Sequence, residues 1–345
     1  MPVPPPAALS RRALLAGAAA LALTACGSGG SSEQAAPAAT SSGVFPVTLE
    51  HKFGTITVPS EPRRVVVAGL TEQDIVLQLG IVPVATTEWY GEQPNAVWPW
   101  ASDLLDGAKP TVLTQTDGLA FEKIASLEPD LIVAVNGGLE QADYDKLAAI
   151  APTVAGSKGT PQYFSPWDDQ TVLVATALGK KAEGEKLVAD VKARYAAIAE
   201  ANPDWEGKTA TFAQGAPYEG VLYVYQNGLS TDFLTMMGFT ITAGLEKYSP
   251  NAGEQAQISA ENLDVIEADV VLFATEEEAN FDALREMETF ESLPAVVENR
   301  TVYTDATLAG AFYFMTPLSL AYVADHLPPL LEKAVAGTSP QEMQG

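Results

Sequence analysis

The chain has 345 residues, with 44 Asp and Glu against 19 Lys and Arg, a formal charge of −25 and a single cysteine. That charge argues against a nucleic-acid binder, whose affinity rests on Lys and Arg neutralising phosphates. The lone cysteine leaves no internal disulfide and no Cys-based metal site, and the length suits two lobes rather than one core.

The first elements lie outside any fold. Ser10-Arg11-Arg12 precedes an apolar run from Ala13 to Leu23, and Leu23-Thr24-Ala25-Cys26 follows. A basic end, a short apolar core and small residues at the cut describe an export signal rather than a membrane span. The small residues ending in Cys26 resemble a bacterial lipobox, in which the cysteine is lipidated and becomes the first mature residue. The twin arginine resembles a Tat-type signal. Residues 1–25 are therefore read as a removed signal, Cys26 as the lipidation site, and 26–43 as a flexible tether rich in Gly, Ser, Ala and Pro. The protein is expected outside the cytoplasm, lipid-anchored to the outer face of the cell membrane. Losing Arg11 and Arg12 with the signal leaves the mature chain more acidic still.

From Val47 the pattern changes. Val47-Thr48-Leu49 and Gly54 to Pro59 alternate around a Gly turn and predict a hairpin. Val65-Val66-Val67-Ala68 and Leu131 to Val135 are apolar without alternation, as strands buried on both faces of a parallel sheet are. Ile81 to Ala85 is a further short strand. Helices are predicted over Thr71–Gly80, with Thr71 and Asp74 forming a cap pair, over 121–127, and over 144–150. Trp167 to Leu178 reads as a helix and 182–201 as another. Strands follow at 209–213, 221–225, 270–274 and 301–303, with helices near 232–237, 261–267 and 282–285. A last helix starts at Thr316-Pro317, a cap followed by Pro at the first helical position, and Pro328-Pro329 interrupts it. Strands alternating with helices predict an α/β fold of two lobes, each with a mainly parallel sheet. The boundaries are 44–166 for the N-terminal lobe, 167–179 for one connecting helix, 180–337 for the C-terminal lobe and 338–345 for a tail.

Several segments in order resemble the bacterial ferric-siderophore and vitamin B12 substrate-binding proteins of ABC importers. They are Gly54 to Pro59 with Pro62-Arg63-Arg64-Val65, Asp74 to Ile81, Leu127-Glu128-Pro129-Asp130-Leu131, Ile258 to Leu263, and Ala268-Asp269-Val270-Val271. The resemblance covers nearly all of 44–337. It implies two α/β lobes joined by one stiff helix, a ligand in the cleft between them, and delivery to a membrane permease by a monomeric, non-enzymatic carrier.

Ligands of α/β lobes meet the loops after the strand C-termini. The loop 88–100 holds Trp89, Tyr90, Trp98 and Trp100, rigid rings that either face a bulky ligand or pin the loop to the lobe. Asn136-Gly137-Gly138 follows a strand and offers either close backbone approach or a turn. In the second lobe Tyr218 and Tyr225 lie in or beside strand-end loops. Phe312 and Tyr313, by resemblance, belong to an aromatic cleft segment with Tyr313 as the hydrogen-bonding member; the alternative is an aromatic strand edge in the core.

Asp74 and Glu261 sit near helix starts, where an acid meets the positive end of the dipole. By resemblance they are also the positions at which each lobe offers an acid to permease arginines, with Glu72 as the substitute for Asp74. Only His51 and His326 exist, so direct metal ligation is not expected; iron should arrive already chelated, and no other cofactor is expected. The cleft loops lack arginine, Arg285 being the nearest, which favours a ferric hydroxamate or mixed chelate over a trianionic catecholate. Haem or cobalamin is the alternative ligand, Tyr218, Tyr225 or Tyr313 being available as an axial group for haem. An enzyme is the distant alternative, since no nucleophile elbow or phosphate loop is present.

Overall fold

A computed structural model of the chain describes residues 43–344 apart from Asp117, Pro161, Gln162, Phe164, Leu229 and Ala252. The export signal, Cys26 and nearly all of the tether lie outside the described residues. Strands β1 (Val47–His51) and β2 (Gly54–Val58) pair antiparallel as the predicted hairpin. His51 is buried beneath it, its Nε2 3.2 Å from the Tyr144 hydroxyl.

The first sheet takes β3 (Val65–Val67), β4 (Ala85–Thr87), β5 (Thr111–Leu113), β6 (Leu131–Ala134) and β7 (Thr153–Ala155) in the order β5-β4-β3-β6-β7, all parallel. Between them run α1 (Gln73–Gln78), α2 (Pro99–Ser102), α3 (Phe121–Ser126) and α4 (Gln141–Ala148). β3 and β6 are buried along their whole length, which is why they carry no polar alternation. The strand expected at 81–85 begins only at Ala85; Pro83 has no N–H to give a central ladder.

The chain then forms a helical hairpin, α5 (Trp167–Ala177) and α6 (Lys181–Ala201). In place of one connecting helix at 167–179, both arms carry residues of both cores. Trp167 of α5 joins the second core while Val174, Ala175 and Ala177 join the first; on α6, Leu187 packs on the first, and Val191 and Tyr195 lie in the second. Twenty-one residues make α6 about 31 Å long, enough to run from one core to the other.

The second sheet is built from β8 (Thr209–Gln214), β9 (Val221–Tyr225), β10 (Thr240–Ile241), β11 (Ala256–Ser259), β12 (Val270–Ala274), β13 (Thr301–Thr304) and β14 (Met343–Gln344). Its order is β11-β9-β8-β12-β13-β14 with β10 also on β8, and it is mixed because β9 runs antiparallel to β8 and β11. The segment read as a tail instead ends as an edge strand on β13. The helices are α7 (Asp232–Met236), α8 (Glu278–Arg285), α9 (Pro294–Val297), α10 (Ala306–Phe314), α11 (Pro317–His326) and α12 (Pro328–Val335). The segment of Phe312 and Tyr313, for which a strand edge was the alternative, lies in the helix α10. Asp305 caps it by accepting 2.8 Å from the Leu308 N–H, and Met315 closes it in the left-handed conformation. Among the described residues, no helix is long and apolar enough to cross a membrane.

Candidate functional site

A cleft of about 850 Å³ opens where β4, β7, β8 and β12 end, as α/β connectivity dictates. The loop after β4 supplies Trp89 and Tyr90, that after β7 Tyr163, and the ends of β8 and β12 supply Gln214, Gly215, Glu276 and Glu277. Tyr223 and Tyr225 come from β9, and Tyr313 from α10. The volume falls at the upper end of the range for small-molecule sites.

The rings form one connected set. Tyr90 lies 5.6 Å from both Trp89 and Tyr313, edge to face in each case, and Tyr313 lies 6.2 Å from Tyr225. Tyr225 stacks on Phe212 at 4.4 Å, which anchors the set to the second core. The Tyr90 hydroxyl is buried and has no hydrogen-bond partner among the described residues. Burial, then the Glu276 charge, pushes that hydroxyl up in pKa. Tyr225 is raised by burial and by Glu276, against hydrogen bonds to the Gln214 and Gln255 side chains. Tyr313 is raised by burial, by the other two tyrosines and by Glu276. All three therefore stay neutral donors at physiological pH. The Glu276 carboxyl is itself pushed up, by burial and then by the neighbouring Glu277.

Of the expected ligand residues, Trp89, Tyr90, Tyr225 and Tyr313 meet in this cleft; the others are placed elsewhere. Trp98 is 2% exposed and stacks on Trp100 at 5.0 Å and 7°, inside the lobe interface. The turn at 94–96, with Asn95 and Ala96 at positive φ, rotates the chain so that Trp98 points inward. A Cβ at Gly310 would sit 2.5 Å from the Trp98 ring, so α10 packs here backbone against ring. Phe312 is a core residue, stacked on Phe233 at 4.6 Å and 2°. Asn136 is buried, its N–H donating 2.6 Å to Glu72 Oε1, and it borders a smaller cavity beside α5. Gly137 packs under Ala134, and at Gly138 a Cβ would strike the Tyr163 ring. The missing side chain at Gly138 thus leaves room for Tyr163. Tyr218 is 64% exposed, in a turn off the cleft lining.

The two acids expected to dock a permease part company. Glu261 is exposed, at the start of a short 3₁₀ turn. Asp74 is fully buried: its Oδ2 accepts 2.8 Å from Trp100 Nε1 and 2.6 Å from Thr316 Oγ1. It makes no cap with Thr71, and its Oδ1 has no partner among the described residues. The substitute Glu72 is buried as well, holding the Thr71 and Asn136 N–H groups. Neither acid can meet arginines of another protein. Asp74 instead ties α1 of the first lobe to Thr316, whose Oγ1 accepts from Ser319 N to cap α11 while donating to Asp74.

Sequence reasoning missed Glu276, Gln255 and Tyr163. Glu276 and Glu277 directly follow the buried strand β12, a position from which a strand-end loop could have been read. Arg285 pairs with Glu291 on α8, outside the cleft lining. Among the described residues, no three His, Cys, Asp or Glu side chains converge as metal ligands.

The family profile described as periplasmic binding protein matches residues 65–308. A periplasmic solute binding protein from Mycobacterium smegmatis is similar in structure, with 41% identity, a TM-score of 0.78, and coverage of 84% of this chain and 98% of that one. PiaA of Streptococcus pneumoniae, solved in complex with ferrichrome, is 26% identical with a TM-score of 0.72, over 84% of this chain and 99% of its own. The probable siderophore-binding lipoprotein YfiY of Bacillus subtilis is 32% identical over 196 residues, and the match spans 56% of each chain.

Proposed function

The chain belongs to the periplasmic binding protein family, and on that footing we propose that it is the extracytoplasmic receptor of an ABC importer. It captures a ferric siderophore, hydroxamate or mixed in type, and passes it to a membrane permease. One observation carries this reading: the cleft is walled by Trp89, Tyr90, Tyr225 and Tyr313 and, among the described residues, has no Lys, Arg or His in its lining. Aromatic faces and neutral hydroxyl donors suit a bulky chelate whose iron is already wrapped. A trianionic catecholate would face Glu254, Glu276 and Glu277 without a counter-charge. The similarity to a ferrichrome-bound protein and to a siderophore-binding lipoprotein supports the ligand class.

The protein acts as a carrier rather than a catalyst. Lipidation at Cys26 anchors it to the outer face of the membrane, and exposed Glu261 is its candidate permease contact. Trp89 supplies the reporter, being the one tryptophan of five in the cleft lining. Ferrichrome added to the purified protein should quench tryptophan emission saturably, and the iron-free chelator should bind far more weakly. Response to haem or cobalamin alone, or to none of these, would contradict the siderophore assignment.

A further inference from the structure

The charge on the cleft wall is one-sided. Glu276 is half-buried at the end of β12, with exposed Glu277 beside it and exposed Glu254 at the approach to β11; all three line the cleft and none forms a salt bridge among the described residues. Glu276 lines the same cleft as Trp89, Tyr90, Tyr225 and Tyr313, so its carboxylate shares that space with their aromatic rings. A second feature is independent of charge: the buried Tyr90 oxygen has no hydrogen-bond partner among the described residues. A carboxylate set among π-faces, with an oxygen free to accept, is the chemistry that takes an ammonium or guanidinium group. Leaving Glu276 uncompensated once a ligand excludes water from the cleft is unfavourable, and a ligand cation removes that penalty.

Building on the siderophore reading, we propose that Glu276 makes the site selective for a ferric chelate bearing a positive charge, a protonated amine appended to a neutral iron(III) trihydroxamate cage. Glu254 and Glu277 add longer-range attraction at the mouth.

Ferrioxamine B and its N-acetylated form test this, because they share one iron cage and differ only in whether the terminal amine is charged. Titrated into the purified protein, ferrioxamine B should bind about tenfold tighter than the acetylated form, the magnitude of one charge-assisted hydrogen bond. Glu276→Gln should remove most of that preference, read as the ratio of the two affinities in the same variant. Glu277→Gln, at an exposed position, should reduce the preference less. Equal binding of the two chelates, or a preference that survives Glu276→Gln in a variant with unchanged melting, would overturn the charge selection alone. Failure of both chelates to bind would overturn the siderophore reading beneath it.

Discussion

Replacing Asp74 by alanine should destabilise the protein by about 2–4 kcal/mol, because it strands the Trp100 Nε1–H and Thr316 Oγ1–H in a dry interface. The replacement should also red-shift the emission of Trp100 as water reaches it. The conservative Asp74→Asn variant separates packing from charge. Burial, partly offset by the hydrogen bonds from Thr316 and Trp100, raises the Asp74 carboxyl from its ordinary 3.8 to about 6. Because the folded value is the higher one, the unfolded chain loses this proton first as pH rises. Below about pH 4 both states are protonated and the group is without effect. Between pH 4 and 6 stability falls, and above 6 the full penalty of about 3 kcal/mol remains. Denaturant unfolding of wild type and Asp74→Asn at pH 4 and pH 7 checks this: the wild type should lose stability relative to the variant by that amount as pH rises. A pH-independent difference would mean that Asp74 is ionised in the fold at no cost.

At the cleft, Tyr313→Ala should weaken ferric hydroxamate binding by about 100-fold, whereas Tyr313→Phe should weaken it only about fivefold. The ring touches Tyr90 from the other lobe and Tyr225 from its own, so it is the central bridging ring of the cleft wall. Central aromatic anchors carry about 2–4 kcal/mol of binding energy, while a neutral hydroxyl hydrogen bond contributes about 1 kcal/mol. Calorimetric titration of both variants with ferrichrome distinguishes ring from hydroxyl. Equal losses in the two variants would assign the binding to the hydroxyl alone. No loss in either would remove Tyr313 from the site.

How far the sequence disclosed this site depended on the range of the interactions. Buried parallel strands such as Val65–Val67 announce themselves because both faces are apolar, and the cap at Thr316 followed by Pro317 is a local signal that the structure bears out. β5, β7 and β11 escaped notice because each is only three or four residues long, too short for a pattern to stand out. α10 was hidden by its own aromatics: Ala311 to Phe314 favours strand locally, and packing on the second core overrides that preference. In loop 88–100, composition alone shows that rings cluster. Which ring lines the cleft follows from the turn at Asn95, which sends Trp98 inward and leaves Trp89 at the cleft. Asp74 is the clearest case. Its neighbours in sequence suggest a helix cap, but Thr316 lies 242 positions away, and no local pattern records such a partner.

The central claim is that an intact ferric chelate occupies this cleft. Anomalous diffraction at the iron edge, from crystals grown with ferrichrome, tests it most directly. The account predicts one iron peak inside the space bounded by Trp89, Tyr90, Tyr225 and Tyr313, coordinated by the chelate and by no protein atom. A peak ligated by protein side chains, or one outside the cleft, would contradict it.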